Sequence, residues 1–337
     1  MARQFMQTHQ QRTGCETPRN ALDVHAGAKS VATGLAAAKR ELERNWQLYL
    51  LLLLPLSFLF VFLYRPMYGA QIAFRSYRAV DGITGSAWVG FEQFAKFLSS
   101  YQFRRVLTNT LAISVYGLVA GFPIPVMLAL ALNNVDNRVF KKTVQMVTYA
   151  PHFISIVVVM GMLSQLFSYQ YGLINKVIRA MGGEGVLFLG DARYFRSLYV
   201  WSGVWQGMGY SSIIYISALS AIDPTLYEAA KVDGATRIQR IWHIEIPGIL
   251  PTIITLFILN TGGLLSVGHE KVLLLQNTLN LETSETISTY VYRLSFQSSI
   301  PDYSYSTAIG LFNSVVNFIV ILSVNALSKR VTETSLW

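Results

Sequence analysis

Two short stretches carry residue types that enzymes use, and neither completes a site. In "HEK", His269 to Lys271, a histidine precedes a carboxylate as in the helix of zinc-dependent proteases, but the second histidine that would hold the metal is missing. In "GYSS", Gly209 to Ser212, a serine nucleophile has no recognisable base partner. The single cysteine, Cys15, excludes an intrachain disulfide and a thiolate metal site. No G-x-x-x-x-G-K-[ST] loop is present to cradle phosphates, so the chain cannot hydrolyse ATP alone. We therefore expect no catalytic residue, no metal ligand and no cofactor in this chain.

What remains is the chemistry of weak, repeated contact. Trp201 with Trp205, Gln206 with Tyr210, and Asn313 with Asn317 are pairs four residues apart, so each pair shares a helix face. Amides and aromatic faces suit a hydroxyl-rich solute that must be released as readily as it is held. With Asn260, these residues are placed nearest a cavity; the alternative for each is helix packing. Asn109 and Gln165 also fall in or at the ends of apolar runs, where an amide must face protein or water. No cation is expected mid-span. Lys176, Arg179, Arg193 and Arg196 fall in a loop, where solvated charge is the simpler reading.

The elements that carry these residues belong in a membrane. The chain has 337 residues, of which 52% are hydrophobic and only 13% charged, too apolar for a soluble protein of this size. "WQLYLLLLLPLSFLFVFLY", Trp46 to Tyr64, would rise about 28 Å as a helix, close to the hydrocarbon thickness. A polar tail, residues 1–44, precedes it, and no cleavage site follows, so this run is an anchor and not a leader. Further spans are expected at Val106–Leu132, Val144–Ser168, Ser197–Leu219, Ile249–Val267 and Ser306–Leu327, six in all. "PIP" at Pro123–Pro125 should bend or break the second. Gly117 with Gly121, and Gly203 with Gly207, should let helices approach closely.

The formal net charge of +9 comes from lysines and arginines scattered among the loops, which fits contact with anionic lipid and not a nucleic-acid stripe. With the N-terminus inside, 15 of these cations fall inside and 12 outside, a bias too small to orient the chain. Span counting does place both termini, the loop after the second span and residues 223–251 on one side.

That last segment is polar. Asp223, Glu228, Lys231, Asp233, Arg237, Arg240 and Glu245 would together cost roughly 20 kcal/mol in lipid, so the segment lies outside it. Asp223 is an N-cap, Pro224 suits the first helical position, and Gly234 supplies a left-handed turn before a second helix that Pro247 should stop. Ile238, Ile241, Trp242 and Glu245 recur at helical spacing in that second helix. Ala229 and Ala230 keep the first helix thin, so this knob, lying along the membrane surface, exposes a small-residue face and the Glu228 carboxylate.

"EAAKVDGA", then "IWHIEIP" and "LP", resembles the EAA loop of ABC importer permeases, the membrane subunits of bacterial binding-protein-dependent uptake systems. Glu228, Ala229, Ala230, Gly234, Ile244 and Pro247 match the family pattern, and Ile246 stands where the family usually has Leu. "GITGSAWVGFEQF", "TNTLAIS" and "FPIPVMLALALNN" are similar to the subgroup that imports oligosaccharides and polysaccharide fragments, including alginate-type importers.

The resemblance implies an all-α six-transmembrane-helix bundle of the type I importer permease fold. Its domains are the tail (1–44), the first helix with an external segment (45–105) and a five-helix core (106–330) holding the loop at 223–251. It also implies a coupling role for Glu228, Ala229, Ala230, Asp233, Gly234, Ala235, Ile244 and Pro247, cytoplasmic termini and a place in the bacterial inner membrane. Implied partners are a dimer of ATPase subunits that bind ATP and Mg, a second permease forming a heterodimer, and an extracytoplasmic solute-binding protein. A permease for an amino acid, phosphate or lipid, and an intramembrane enzyme, are the competing readings.

Overall fold

A computed structural model describes residues 43–332; of the tail, only Glu43 and Arg44 fall among them, and both are helical. They open a 32-residue helix, Glu43–Phe74, whose leucines and phenylalanines from Leu48 to Leu63 are exposed, as a lipid-facing anchor requires. Pro66 does not end it. The turn just ahead, Phe60–Tyr64, is a π-turn closed by the Arg65 N–H on the Phe60 carbonyl. The wider turn redirects the carbonyl that the proline ring would otherwise strike.

The chain from Gly69 onward is a second compact unit. It starts with an antiparallel pair, Arg75–Arg78 against Ser86–Trp88, with Arg75 opposite Trp88. An amphipathic helix, Glu92–Ser99, follows. Then come the long helices: Tyr101–Asn133, the broken pair Arg138–Phe153 and Ile156–Leu166, Ala192–Ser220, Arg237–Gly262 and Tyr303–Arg330. Side chains fix most of their starts. Ser100 accepts from the Phe103 N–H, Asn137 from Val139 and Phe140, Ser155 from Val158, and Asp191 from Arg193.

Among the described residues, four helices are long and apolar enough to cross a membrane, or five if the broken pair is one span. The six expected spans are therefore not all met on those terms. The fourth, Ser197–Leu219, lies inside the 29-residue helix Ala192–Ser220, which is not one of the four or five; its serines, glycines and Gln206 dilute the hydropathy. The third is not straight: Pro151 and Ser155 split it, and its halves meet at 102°. The second is continuous, because Phe122 keeps helical torsions between Gly121 and Pro123. Pro123 and Pro125 fall in the first turn of the resuming helix, where a missing N–H costs little.

The expected loop between the fifth and sixth spans folds inward. His269–Leu275, Leu281–Ser284 and Ile287–Tyr292 are short helices, and in them or capping them the polar residues Lys271, Asn280, Ser284, Glu285, Thr286 and Thr289 are buried. The long helices supply partners to this fold. Asn109 donates to the carbonyls of Glu282 and Glu285 at 2.7 and 3.1 Å and accepts from Arg196. The Thr110 hydroxyl accepts from the Ile287 N–H at 2.9 Å, and the Glu285 carboxylate is clamped by Arg105 and Arg293. The buried Asn109 thus meets the requirement for an amide in an apolar run. One apolar cluster, Ile113, Val159, Met160, Leu163, Phe195, Val267, Val272 and Leu275, joins this inward fold to the Tyr101–Asn133, Ile156–Leu166 and Ala192–Ser220 helices.

Candidate functional site

Two features stand out in the second unit, a polar hairpin and a cavity. In the hairpin, Asp223 caps Pro224–Val232 by accepting from the Thr225 N–H at 2.9 Å. That bond holds its carboxyl below the usual carboxylate range. The far end is a complete Schellman closure: Ala235 N–H bonds the Ala230 carbonyl at 2.8 Å and Gly234 N–H the Lys231 carbonyl at 3.2 Å, with Gly234 at φ +74°. Thr236 then opens the second helix through a reciprocal box with Gln239. Ala230, Asp233, Gly234, Ala235, Gln239, Arg240, His243 and Ile244 enclose a cleft of about 280 Å³. Glu228, Ala229, Asp233, Gly234 and Pro247 are exposed, and so are four large apolar side chains of the hairpin, Leu226, Val232, Ile238 and Trp242.

Pro247 does not stop the second helix. The turn Ile241–Glu245 is a π-turn closed by the Ile246 N–H on the Ile241 carbonyl, the same device that precedes Pro66. The helix therefore runs unbroken from Arg237 to Gly262. The second arm is thus not a separate helix but the start of one long and apolar enough to cross a membrane, rising about 39 Å over 26 residues.

Glu245 has a role that the sequence did not show. Counted as one of the hairpin's charges, it is only 1% exposed. Its carboxylate accepts from Asn133 at 2.9 Å and from Asn134 at 2.9 and 3.0 Å. Burial and this carboxylate push the nearby Tyr227 hydroxyl above the usual phenol range. Arg237 adds an exposed ion pair to Asp136 at 2.7 Å. The hairpin and the loop after the second span thus lie on the same side, as span counting requires.

The cavity, about 650 Å³, lies between Tyr101–Asn133, Ala192–Ser220, Arg237–Gly262 and the inward fold. Of the seven residues assigned to a solute path, it takes Tyr210 and Asn260. Trp201 and Trp205 instead open on a separate apolar groove beside Phe167 and Phe188. Gln206 donates to the Ile154 carbonyl at 2.9 Å, bracing the break between the two halves of the split span. Asn317 accepts from the Leu265 N–H and donates to Ser266, and Asn313 lies off the cavity wall. Shared helical faces were legible, but not which face turns inward.

The glycines also differ from expectation. A Cβ on Gly117 or Gly207 would meet nothing within 4 Å, and both line the cavity, so these two widen it, whereas a Cβ on Gly121 would meet Val204 of the neighbouring helix at 3.6 Å. The close approach is at Gly209, where a Cβ would come 2.1 Å from the Thr148 carbonyl oxygen.

Sequence reasoning also missed Lys271. It lines the cavity from a short helix, His269–Leu275, so a cation reaches the path although none lies mid-span. In sequence it reads only as part of "HEK", between the apolar runs "LLSV" and "VLLL", with nothing local to point it at a cavity.

Residues 121–333 match the family model described as the binding-protein-dependent transport system inner membrane component. The chain belongs to this family. Its relatives include Protein LplB of Bacillus subtilis, 41% identical over 90% of this chain and 93% of that one. The polygalacturonan/rhamnogalacturonan transport system permease protein YteP of the same organism is 41% identical over 86% and 90%. Among solved structures, a chain of a bacterial ABC transporter involved in import of the acidic polysaccharide alginate superimposes with a TM-score of 0.80. It is 40% identical, covering 88% of this chain and 99% of that one. A second structure of an alginate ABC transporter, in complex with an alginate pentasaccharide-bound periplasmic protein, matches equally. The chain is thus a membrane-spanning transport component and not an enzyme.

In such a permease the open glycine face can be tested directly. Gly207→Leu removes a glycine from a helix interior, a gain of about 0.8 kcal/mol in propensity, and projects its side chain into the cavity. The protein should keep its melting temperature while maximal uptake falls about tenfold, equivalent to about 1.4 kcal/mol. Uptake at the unaltered rate would mean that this cavity is not the path.

Proposed function

We propose that this chain is one of two permease subunits in an ATP-driven importer of oligosaccharides or polysaccharide fragments. A separate ATPase dimer binds ATP and Mg and docks on the hairpin at Glu228, Ala229, Ala230, Asp233, Gly234, Ala235, Ile244 and Pro247. The second permease is a different chain, and an extracytoplasmic binding protein delivers the solute. The chain crosses the inner membrane six times, with the hairpin and both termini in the cytoplasm.

One observation carries this reading: the helix that begins in the hairpin at Arg237 reaches the cavity wall at Leu256 and Asn260 without a break. A displacement of the hairpin is then a displacement of the wall, which is what alternating access requires. The exposed Leu226, Val232, Ile238 and Trp242 give a docking partner apolar surface on an otherwise charged knob. The relatives named for polygalacturonan, rhamnogalacturonan and alginate support a carbohydrate solute.

The test is to purify the chain with its neighbouring components, reconstitute them in vesicles and add the binding protein loaded with labelled oligosaccharides. Accumulation that depends on ATP and on the binding protein is expected. A chain that purifies without any ATPase, or accumulation indifferent to ATP, would refute the reading.

A further inference from the structure

Among the described residues that line the cavity, Lys271 is the only charged one. It sits on the short helix His269–Leu275, outside the long apolar helices, and is 9% exposed. Its ammonium donates to the Tyr199 carbonyl at 2.6 Å and lies 4.5 Å from the centre of the Tyr199 ring. Among the described residues no carboxylate lies within ion-pair distance of it. The site is also cleared for it: a Cβ on Gly203 would come 2.9 Å from Nζ. Burial lowers its pKa to about 8, so at neutral pH it remains mostly the cation.

A buried cation without a counter-charge is costly, and a methionine of similar volume would pack here at no such cost. The ammonium has three donors; Tyr199 takes one, and the other polar side chains along the cavity wall, Ser266, Asn260 and Tyr210 among them, are neutral. The missing partner is an anion that arrives and leaves. We propose that Lys271 recognises a carboxylate of the passing solute, making this permease selective for acidic, uronate-bearing oligosaccharides; this rests on the permease reading above. A single cation in an otherwise neutral cavity favours the acid without trapping it, because one charge-assisted bond is readily exchanged as the cavity opens. Tyr199 holds the ammonium against the wall, and Gly203 leaves the space it occupies.

The experiment uses the whole reconstituted importer, with labelled trigalacturonate and a labelled neutral trisaccharide as probes. Wild type should accumulate the acid. Lys271→Met should lower acid accumulation per ATP hydrolysed by about tenfold or more, with ATPase stimulation by the loaded binding protein retained, and Lys271→Arg should restore most of it. A purely structural lysine would instead lower the melting temperature and ATPase stimulation together, and that result overturns the proposal. So does an unchanged sugar-to-ATP ratio in Lys271→Met. If wild type accumulates only the neutral probe, the acidic-solute assignment falls while the permease reading stands. If it accumulates neither, both fall.

Discussion

Replacing Gly234 with proline should release the ATPase from the complex while the permease remains inserted in the membrane. Gly234 lies at φ +74°, and proline is confined near −65°, so the turn between the hairpin's two helices cannot form. The substitution also deletes the N–H that bonds the Lys231 carbonyl at 3.2 Å, and it displaces the Ala235 N–H from the Ala230 carbonyl. Both bonds of the closure are lost together. Ala230, Asp233, Gly234 and Ala235, which enclose one side of the cleft, would then no longer hold their positions relative to Gln239, Arg240, His243 and Ile244.

The cost is about 3 kcal/mol or more, enough to weaken docking by more than about a hundredfold. Alanine at the same position should be intermediate, because the left-handed region costs an ordinary L-residue about 1–2 kcal/mol. Asparagine should come closest to wild type. Co-purification of the ATPase and its stimulation by loaded binding protein are the readouts. Recovery of a fully stimulated complex from Gly234→Pro would remove the hairpin from the coupling path.

The hairpin was legible because its determinants are local. An N-cap, a proline at the first helical position and a glycine at the turn act on their own neighbours, so Asp223, Pro224 and Gly234 could be assigned from the sequence. The four long apolar helices were legible for a similar reason, since lipid imposes the same demand on every residue it touches. What escaped was set by distant contacts. Pro247 reads locally as a stop, and only the π-turn before it lets the helix continue. Lys271 has no local mark of a cavity residue until Tyr199, 72 residues away in sequence, is placed beside it. Gly117 and Gly207 read as close packing, because small residues serve equally to let helices meet and to hold a space open. Trp201 and Trp205 share a face with each other, but the period of a helix does not say whether that face meets the cavity or the groove by Phe167.

Glu245→Ala should loosen the hairpin from the bundle and uncouple transport from ATP hydrolysis. The carboxylate is buried and bonded at 2.9 to 3.0 Å by the amides of Asn133 and Asn134. Those amides end the Tyr101–Asn133 helix, where unpaired carbonyls oppose a nearby negative charge; the amide donors offset that repulsion. With alanine the donors lose their acceptor, at about 1–3 kcal/mol for each group left unsatisfied. By comparison, the Arg237–Asp136 pair is largely exposed at both ends and such pairs contribute about 1 kcal/mol or less, so Asp136→Asn should be nearly silent. Glutamine at 245 is not a gentle replacement either, since its own amide would face donors. A double-mutant cycle between Glu245→Ala and Asn134→Ala separates the contact from general damage, because the second change should cost little once the first is made. Melting of the detergent-solubilised complex reports the anchoring, and sugar moved per ATP reports the coupling. If Glu245→Ala melts and transports as wild type does, the force reaching the cavity wall travels through the Arg237–Gly262 helix alone, and the asparagines are only its neighbours.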